Sequence, residues 1–168
     1  MMLVSSVRLS TTSYVVLGLV EMRQPATPYD IKRAAEVSTA NFWTVPHTQL
    51  YSECSRLSRE GLLQEQQEQT GRRRKIYRLT DAGQAALDAW RAEPVGEDFE
   101  LRDPGMLKLF FGADPEPLAQ AQLAIHEKQL ATYREMAKQE MPNGMRLALD
   151  CGIGHEREYV RYWKKLLG

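Results

Sequence analysis

The chain has 168 residues, 43% of them apolar and 26% charged, and its 22 basic and 22 acidic side chains leave no formal net charge. That length allows one domain or two small ones with a real hydrophobic core, and the composition excludes wholesale disorder. No apolar run approaches the roughly 18–20 residues needed to span a bilayer, and the opening MMLVSSVRLS lacks the long apolar core of a secretory signal.

The first predicted element is a helix over residues 11–22, TTSYVVLGLVEM, entered through Ser and Thr that suit an N-cap. Val15, Val16, Leu19 and Val20 would cover its buried face. Its β-branched residues and Gly18 lower the helix propensity, but the segment is long for a strand. RQPATPYDIKRAAE then gives a turn and a second helix, with Thr27 as N-cap, Pro28 first in the helix and Asp30 completing a capping-box pattern. VSTANFW interrupts it. A third helix starts near TVPHTQLYSECSRLSREGLL, with Thr44 as its expected cap, Pro46 in the first turn and Gly61 as the terminating glycine.

At about 100° per residue, Leu50, Cys54 and Leu57 of this third helix form one apolar stripe. Roughly opposite lie Thr48, Gln49, Ser52, Ser55, Arg56 and Arg59, a face of hydrogen-bonding groups and cations without a carboxylate. Glu53 and Glu60 fall to the side. A β-hairpin follows, in which LLQEQQEQ and RRRKIYRL flank a tip at Thr70 and Gly71, with Leu63, Tyr77 and Leu79 expected inward. Arg72, Arg73, Arg74 and Lys75 stand together at its turn, and Arg78 follows. LTDAGQAALDAW opens another helix, capped by Thr80.

Helix, helix, helix, hairpin, helix is the winged helix-turn-helix arrangement, a mostly α fold with a small β-hairpin. A polar face without carboxylates fits a groove walled by phosphates, where Gln and Arg have the fork geometry to read adenine or guanine edges. Guanidinium groups at the hairpin turn can sit on neighbouring phosphates. Polar helix faces and basic turns are also generic solubility devices, and it is their combination at this spacing that favours DNA. The competing class is a winged helix whose basic turn binds an acidic protein partner.

Three stretches, TTSYVVLGLVEMRQPATPYDIKRA, FWTVPHTQLYSECSRLSREGLL and GRRRKIYRLTDAGQAAL, together resemble the PadR family of bacterial transcriptional regulators, over about residues 9–90. The run from Phe42 and Trp43 through HTQLY to EGL resembles the larger, longer-tailed branch of that family. The ordered set Trp43, Gln49, Tyr51, Leu57, Gly61, Arg73, Tyr77, Leu79, Thr80 and Gly83 is far more specific than any single piece. Where many members have TGYEL this chain has TPYDI, a conservative change. Where many have Pro-Gly before the tyrosine it has His47 and Thr48, so base preferences do not transfer.

The resemblance implies a homodimer joined through its C-terminal helices; the expected function is a repressor bound to a pseudo-palindromic operator in double-stranded DNA, though the sequence does not distinguish a repressor from an activator. The resemblance also implies control by a small-molecule or cellular effector, whose identity the sequence does not give. By the same resemblance, Tyr51 and the wing residues Arg72, Arg73, Arg74 and Lys75 contact the DNA backbone, while Thr48, Gln49, Ser52 and Arg56 face the groove. Tyr51 lies about 100° from Leu50 on the wheel, so half-buried packing stays open for it. His47 could bond a phosphate or cap backbone.

The charge divides at RAEPVGEDFELRDPG, a connector rich in Pro, Gly and acids: residues 1–92 carry 12 Lys and Arg against 9 Asp and Glu, and residues 93–168 carry 10 against 13. Residues 9–92 are therefore expected to form the DNA-binding domain and 93–168 a helical dimerisation domain. In the second part, Met106 to Phe111 is a short apolar segment ended by Gly112, and a long helix follows, capped by Asp114 with Pro115 first. Leu123, Leu130 and Ala137 repeat every seven residues with His126 and Tyr133 between, an imperfect seam.

Pro142, Asn143 and Gly144 break that helix. The last one sets Cys151, His155, Tyr159, Tyr162 or Trp163, and Leu166 on one side. Gly152 and Gly154 each cost it about 1 kcal/mol, which would allow close helix packing or a bend. These helices either pack back on the first module or pair with a second copy. Two half-sites in register favour the dimer, through Leu123, Leu130, Tyr133, Tyr159, Trp163 and Leu166.

Cys54 and Cys151 are expected as free, buried thiols of a reducing cytoplasm. His47, His126 and His155 have no metal-ligand spacing with one another or with the cysteines, and phosphate-loop and nucleophile-elbow patterns are absent. No metal, cofactor or enzymatic activity is expected; the Cys151 and His155 pair, at i and i+4, could bind metal or act in redox but has too few ligands for a structural site and reads as core packing. Trp43, Phe110, Tyr159 and Trp163 read as ordinary core, or as the lining of an effector pocket.

Overall fold

The computed structural model describes residues 7–69, 71 and 73–168, in two compact units that divide between Glu97 and Asp98. The first unit runs α1 (Thr11–Arg23), α2 (Pro28–Glu36), a single 3-10 turn (Thr39–Asn41), α3 (His47–Arg59), antiparallel strands β1 (Leu63–Gln67) and β2 (Lys75–Leu79), and α4 (Asp81–Ala92). Three of the helices start on side-chain caps. Ser10 and Ser13 exchange side-chain and backbone hydrogen bonds at α1, Thr27 and Asp30 do the same at α2, and the Thr80 hydroxyl accepts from the Gly83 N–H at α4.

The third helix departs from expectation. It begins at His47 directly behind Pro46 and has no side-chain cap. Thr44 stands too far upstream, because a capping side chain has to sit immediately before the first helical residue. Its hydroxyl lies 3.4 Å from the Ala40 carbonyl instead. The other end follows the expected turn: the Gly61 N–H bonds the Ser58 carbonyl at 3.1 Å and the Leu62 N–H the Leu57 carbonyl at 2.9 Å. Gly83 lets α4 approach that turn, since a β-carbon there would stand 2.1 Å from the Leu62 carbonyl oxygen.

One core joins these elements: Val16, Leu17, Leu19 and Val20 of α1, Ile31, Ala34 and Ala35 of α2, Leu50, Cys54 and Leu57 of α3, Leu63 and Tyr77 of the hairpin, and Leu87 of α4. Leu17 takes an inner place, and Val15 is only half-buried. The strands pair from Leu63 opposite Leu79 to Gln67 opposite Lys75. Alternation then puts Leu63, Glu65 and Gln67 on one face with Leu79, Tyr77 and Lys75. Ala26 and Tyr77 exchange backbone hydrogen bonds at 3.0 and 2.8 Å, which pins the hairpin to the link between α1 and α2.

The second unit contains α5 (Pro104–Phe110), α6 (Pro115–Met136) and α7 (Asn143–Lys165). Asp103 and Asp114 cap α5 and α6, each followed by a proline. The connection from α6 to α7 is short, so the two long helices lie antiparallel and bury a seam within one chain. Leu130, Tyr133 and Trp163 are buried in this intramolecular seam, and Leu123, Tyr159 and Leu166 are half-buried.

The inward stripe of α7 is also rotated from the expected one. It runs through Met145, Leu149, Gly152, Glu156, Tyr159, Trp163 and Leu166, all buried or half-buried, while Cys151 and His155 are exposed. Two residues that hydropathy counts as poor core explain this. Gly152 takes the Tyr133 ring, whose nearest atom would be 3.1 Å from an added β-carbon. Glu156 is accepted because its carboxylate lies 2.7 Å from His126 Nδ1, and the His126 ring packs on Tyr159 with centroids 4.5 Å apart. Gly154 meets nothing within 4 Å. Among the expected core aromatics Trp163 is buried, whereas Trp43 and Phe110 are exposed.

Candidate nucleic-acid interface

On α3 the apolar stripe is fully buried, which fixes the rotation of the helix and turns Thr48, Gln49, Ser52 and Arg59 outward. Ser55 is half-buried beside them, and the Ser52 hydroxyl bonds back to the Gln49 carbonyl at 3.1 Å. Tyr51 keeps 38% of its surface open, so it stands at the shoulder of this face and not in the core. His47 Nε2 lies 3.5 Å from Glu36 Oε1 at the end of α2, and the same carboxylate group gathers Lys32 and Arg33. A side chain of α2 is thus its neighbour.

Arg56 is not on the outward face. Its guanidinium makes a two-pronged pair with Glu53 at 2.9 and 2.7 Å and also donates to the Ser13 hydroxyl of α1 at 3.1 Å. Ser13, itself fully buried, donates to Glu53 at 2.5 Å. The hydrogen bonds from Arg56, with a further one from Ser13, hold the Glu53 carboxyl below its ordinary range against the opposing effect of burial. A helical wheel fixes the angle of the Cα–Cβ bond but not where a long side chain ends. The arginine bends back to neutralise Glu53 and anchors α3 to α1.

The hairpin shows the same pattern. Arg74 pairs with Glu68 through two nitrogens, both at 3.0 Å, and Lys75 Nζ lies 2.9 Å from Glu65. Arg73 is exposed, in a left-handed conformation (φ 49°), with its carbonyl accepting from Gln67 Nε2 at 3.1 Å. Arg73 and Arg78 have no ion-pair partner among the described residues. Thr70 and Arg72 lie outside the described residues. Sequence reasoning thus set Glu53 to the side without its partner Arg56, and passed over Glu65 and Glu68 as partners of the hairpin cations. The hairpin pairs could have been suspected from the strand register, since Glu65 faces Tyr77 directly and Lys75 diagonally.

Among the described residues no helix is long and apolar enough to cross a membrane, and no group of three His, Cys, Asp or Glu side chains is placed to hold a metal ion.

Comparison with known proteins agrees with this architecture over both units. The Transcriptional regulator PadR-like family matches residues 16–89, and a second family, Virulence activator alpha C-term, matches residues 101–168. The negative transcriptional regulator PadR of Bacillus subtilis is 28% identical over 174 residues, covering 92% of this chain and 94% of that protein. The crystal structure of Bacillus subtilis PadR in complex with operator DNA superposes with a TM-score of 0.83 at 25% identity, covering 94% of this chain and 98% of the other. The PadR-like regulator BC1756 of Bacillus cereus gives 0.79 at 24% identity, with 93% and 95% coverage. The winged first unit thus matches the PadR-like family and the helical second unit the Virulence activator alpha C-term family, and along nearly its whole length this chain is similar to PadR-like transcriptional regulators with a helical C-terminal region.

Proposed function

We propose that this chain is a sequence-specific DNA-binding transcriptional repressor and not an enzyme, acting in the cytoplasm as a homodimer under the control of a small-molecule or cellular effector. One observation carries the reading: a single compact unit presents the outward, carboxylate-free face of α3 together with a cationic hairpin turn. PadR of Bacillus subtilis, a negative transcriptional regulator seen in complex with operator DNA, supports it.

We assign base-edge contacts to Thr48, Gln49 and Ser52, and phosphate contacts to Tyr51, Arg59, Arg73 and Arg78. Residues 9–92 bind DNA and 93–168 pair two copies. The seam between α6 and α7 is already filled, so pairing uses outer residues such as Ile125 and Leu147, which are 58% and 62% exposed.

Fluorescence anisotropy on DNA from the protein's own upstream region, against scrambled DNA over a salt range, tests the reading. With about three phosphates neutralised per protomer, a dimer gives a log–log slope of roughly −5. Replacing Gln49 should change sequence preference, not the slope. Equal and feeble binding to both DNAs at physiological salt would sink the proposal.

A further inference from the structure

The hairpin carries its own counter-charges. Glu65 and Glu68, on β1 and just beyond it, stand across from the cations of the turn. The backbone holds the outer pair in place, because the Glu68 N–H donates to the Arg74 carbonyl at 2.9 Å while the two side chains meet at 3.0 Å. Glu65 is held from two sides, by Lys75 Nζ at 2.9 Å and by the Tyr77 hydroxyl, which donates to it at 2.9 Å. Both cations remain at the surface, with the side chains of Arg74 and Lys75 61% and 51% exposed, so they can exchange partners.

We propose that Glu65 and Glu68 set the DNA affinity of the wing: each withholds one cation from the phosphates, and together they keep non-specific binding weak. The proposal rests on the DNA-binding reading above. A phosphate that draws Arg74 away from Glu68 leaves that carboxylate exposed beside it. The acid thus opposes the contact twice, by competing for the cation and by repelling the phosphate. Non-specific binding is almost wholly electrostatic, so the restraint falls hardest there and the contacts made by α3 weigh more in the choice of site.

The test is the double variant Glu65→Gln with Glu68→Gln, measured beside the parent on upstream and scrambled DNA across a salt range. Glutamine removes the charge but keeps an acceptor for the Tyr77 hydroxyl. Binding to scrambled DNA should tighten roughly three- to tenfold near 0.1 M salt, and the log–log slope should steepen by about 2 per protomer. Adding Arg74→Ala to Glu68→Gln should abolish the share due to Glu68. An unchanged slope or weaker binding, in a variant with the parent's thermal melt, overturns the proposal and leaves the DNA-binding reading standing. Should the double variant melt early, Glu68→Gln alone carries the test with half the change in slope. Feeble, salt-insensitive binding by the parent overturns both.

Discussion

Replacing Arg56 with Ala separates a base-reading role from an anchoring one. The truncation leaves Glu53, whose side chain is only 13% exposed, with the Ser13 hydroxyl as its remaining partner in this network. Removing one member of a fully buried ion pair costs about 3–5 kcal/mol. The Arg56 side chain is 31% exposed, so water relieves part of that cost and about 2 kcal/mol is expected. For a unit of this size the Tm should fall by about 8–16 °C, readable by circular dichroism.

The same variant carries a pH signature. The Glu53 carboxyl is held below its ordinary value of 4.5 in the folded parent, chiefly by Arg56. A depressed folded pKa contributes stability that is complete above the unfolded value and lost as the pH falls through the folded one. The parent's advantage over Arg56→Ala should therefore be full at pH 7 and shrink below about pH 4.5. The preference for upstream over scrambled DNA should stay at the parent's value, because Arg56 is held by Glu53 and Ser13. A variant as stable as the parent but with an altered sequence preference would refute the anchor and return Arg56 to the reading face.

Two further outcomes follow from burial. A disulfide-exchange dye added to the native protein should titrate one thiol promptly, Cys151, because burial encloses Cys54 and pushes its thiol up to about 12; two fast thiols would contradict that enclosure. Leu130→Ala should cost about 2–4 kcal/mol of stability without dissociating a dimer, whereas Leu147→Glu should leave the melt intact and yield monomer by equilibrium sedimentation. A parent that is monomeric at tens of micromolar ends the dimer proposal.

The elements legible in the sequence are those whose ends depend on neighbours a few residues away. Thr27, Pro28 and Asp30 mark the start of α2, Thr80 that of α4, and Asp114 with Pro115 that of α6, because caps act over three positions. The buried stripe of α3 was equally readable, since Leu50, Cys54 and Leu57 are all apolar. The stripe of α7 was not, because its inward residues include Gly152 and Glu156, and only Tyr133 and His126 on the neighbouring helix make them fit. Arg56 failed for a related reason: Ser13, one of its partners, is 43 positions away. Patterning reports where a Cβ points; the far end of a long charged side chain follows its partners.

The zero net charge therefore describes the DNA-binding surface poorly, and so does a count of its cations. Arg56, Arg74 and Lys75 each hold a carboxylate, whereas Arg59, Arg73 and Arg78 are exposed with no ion-pair partner among the described residues. Six such free cations in a dimer correspond to a log–log salt slope of roughly −5, and opening both wing pairs in each protomer moves it to roughly −9. The slope of the parent counts the free cations, and the glutamine variant adds the released ones, so the difference between the two slopes counts the opened pairs. That difference isolates what Glu65 and Glu68 withhold from DNA.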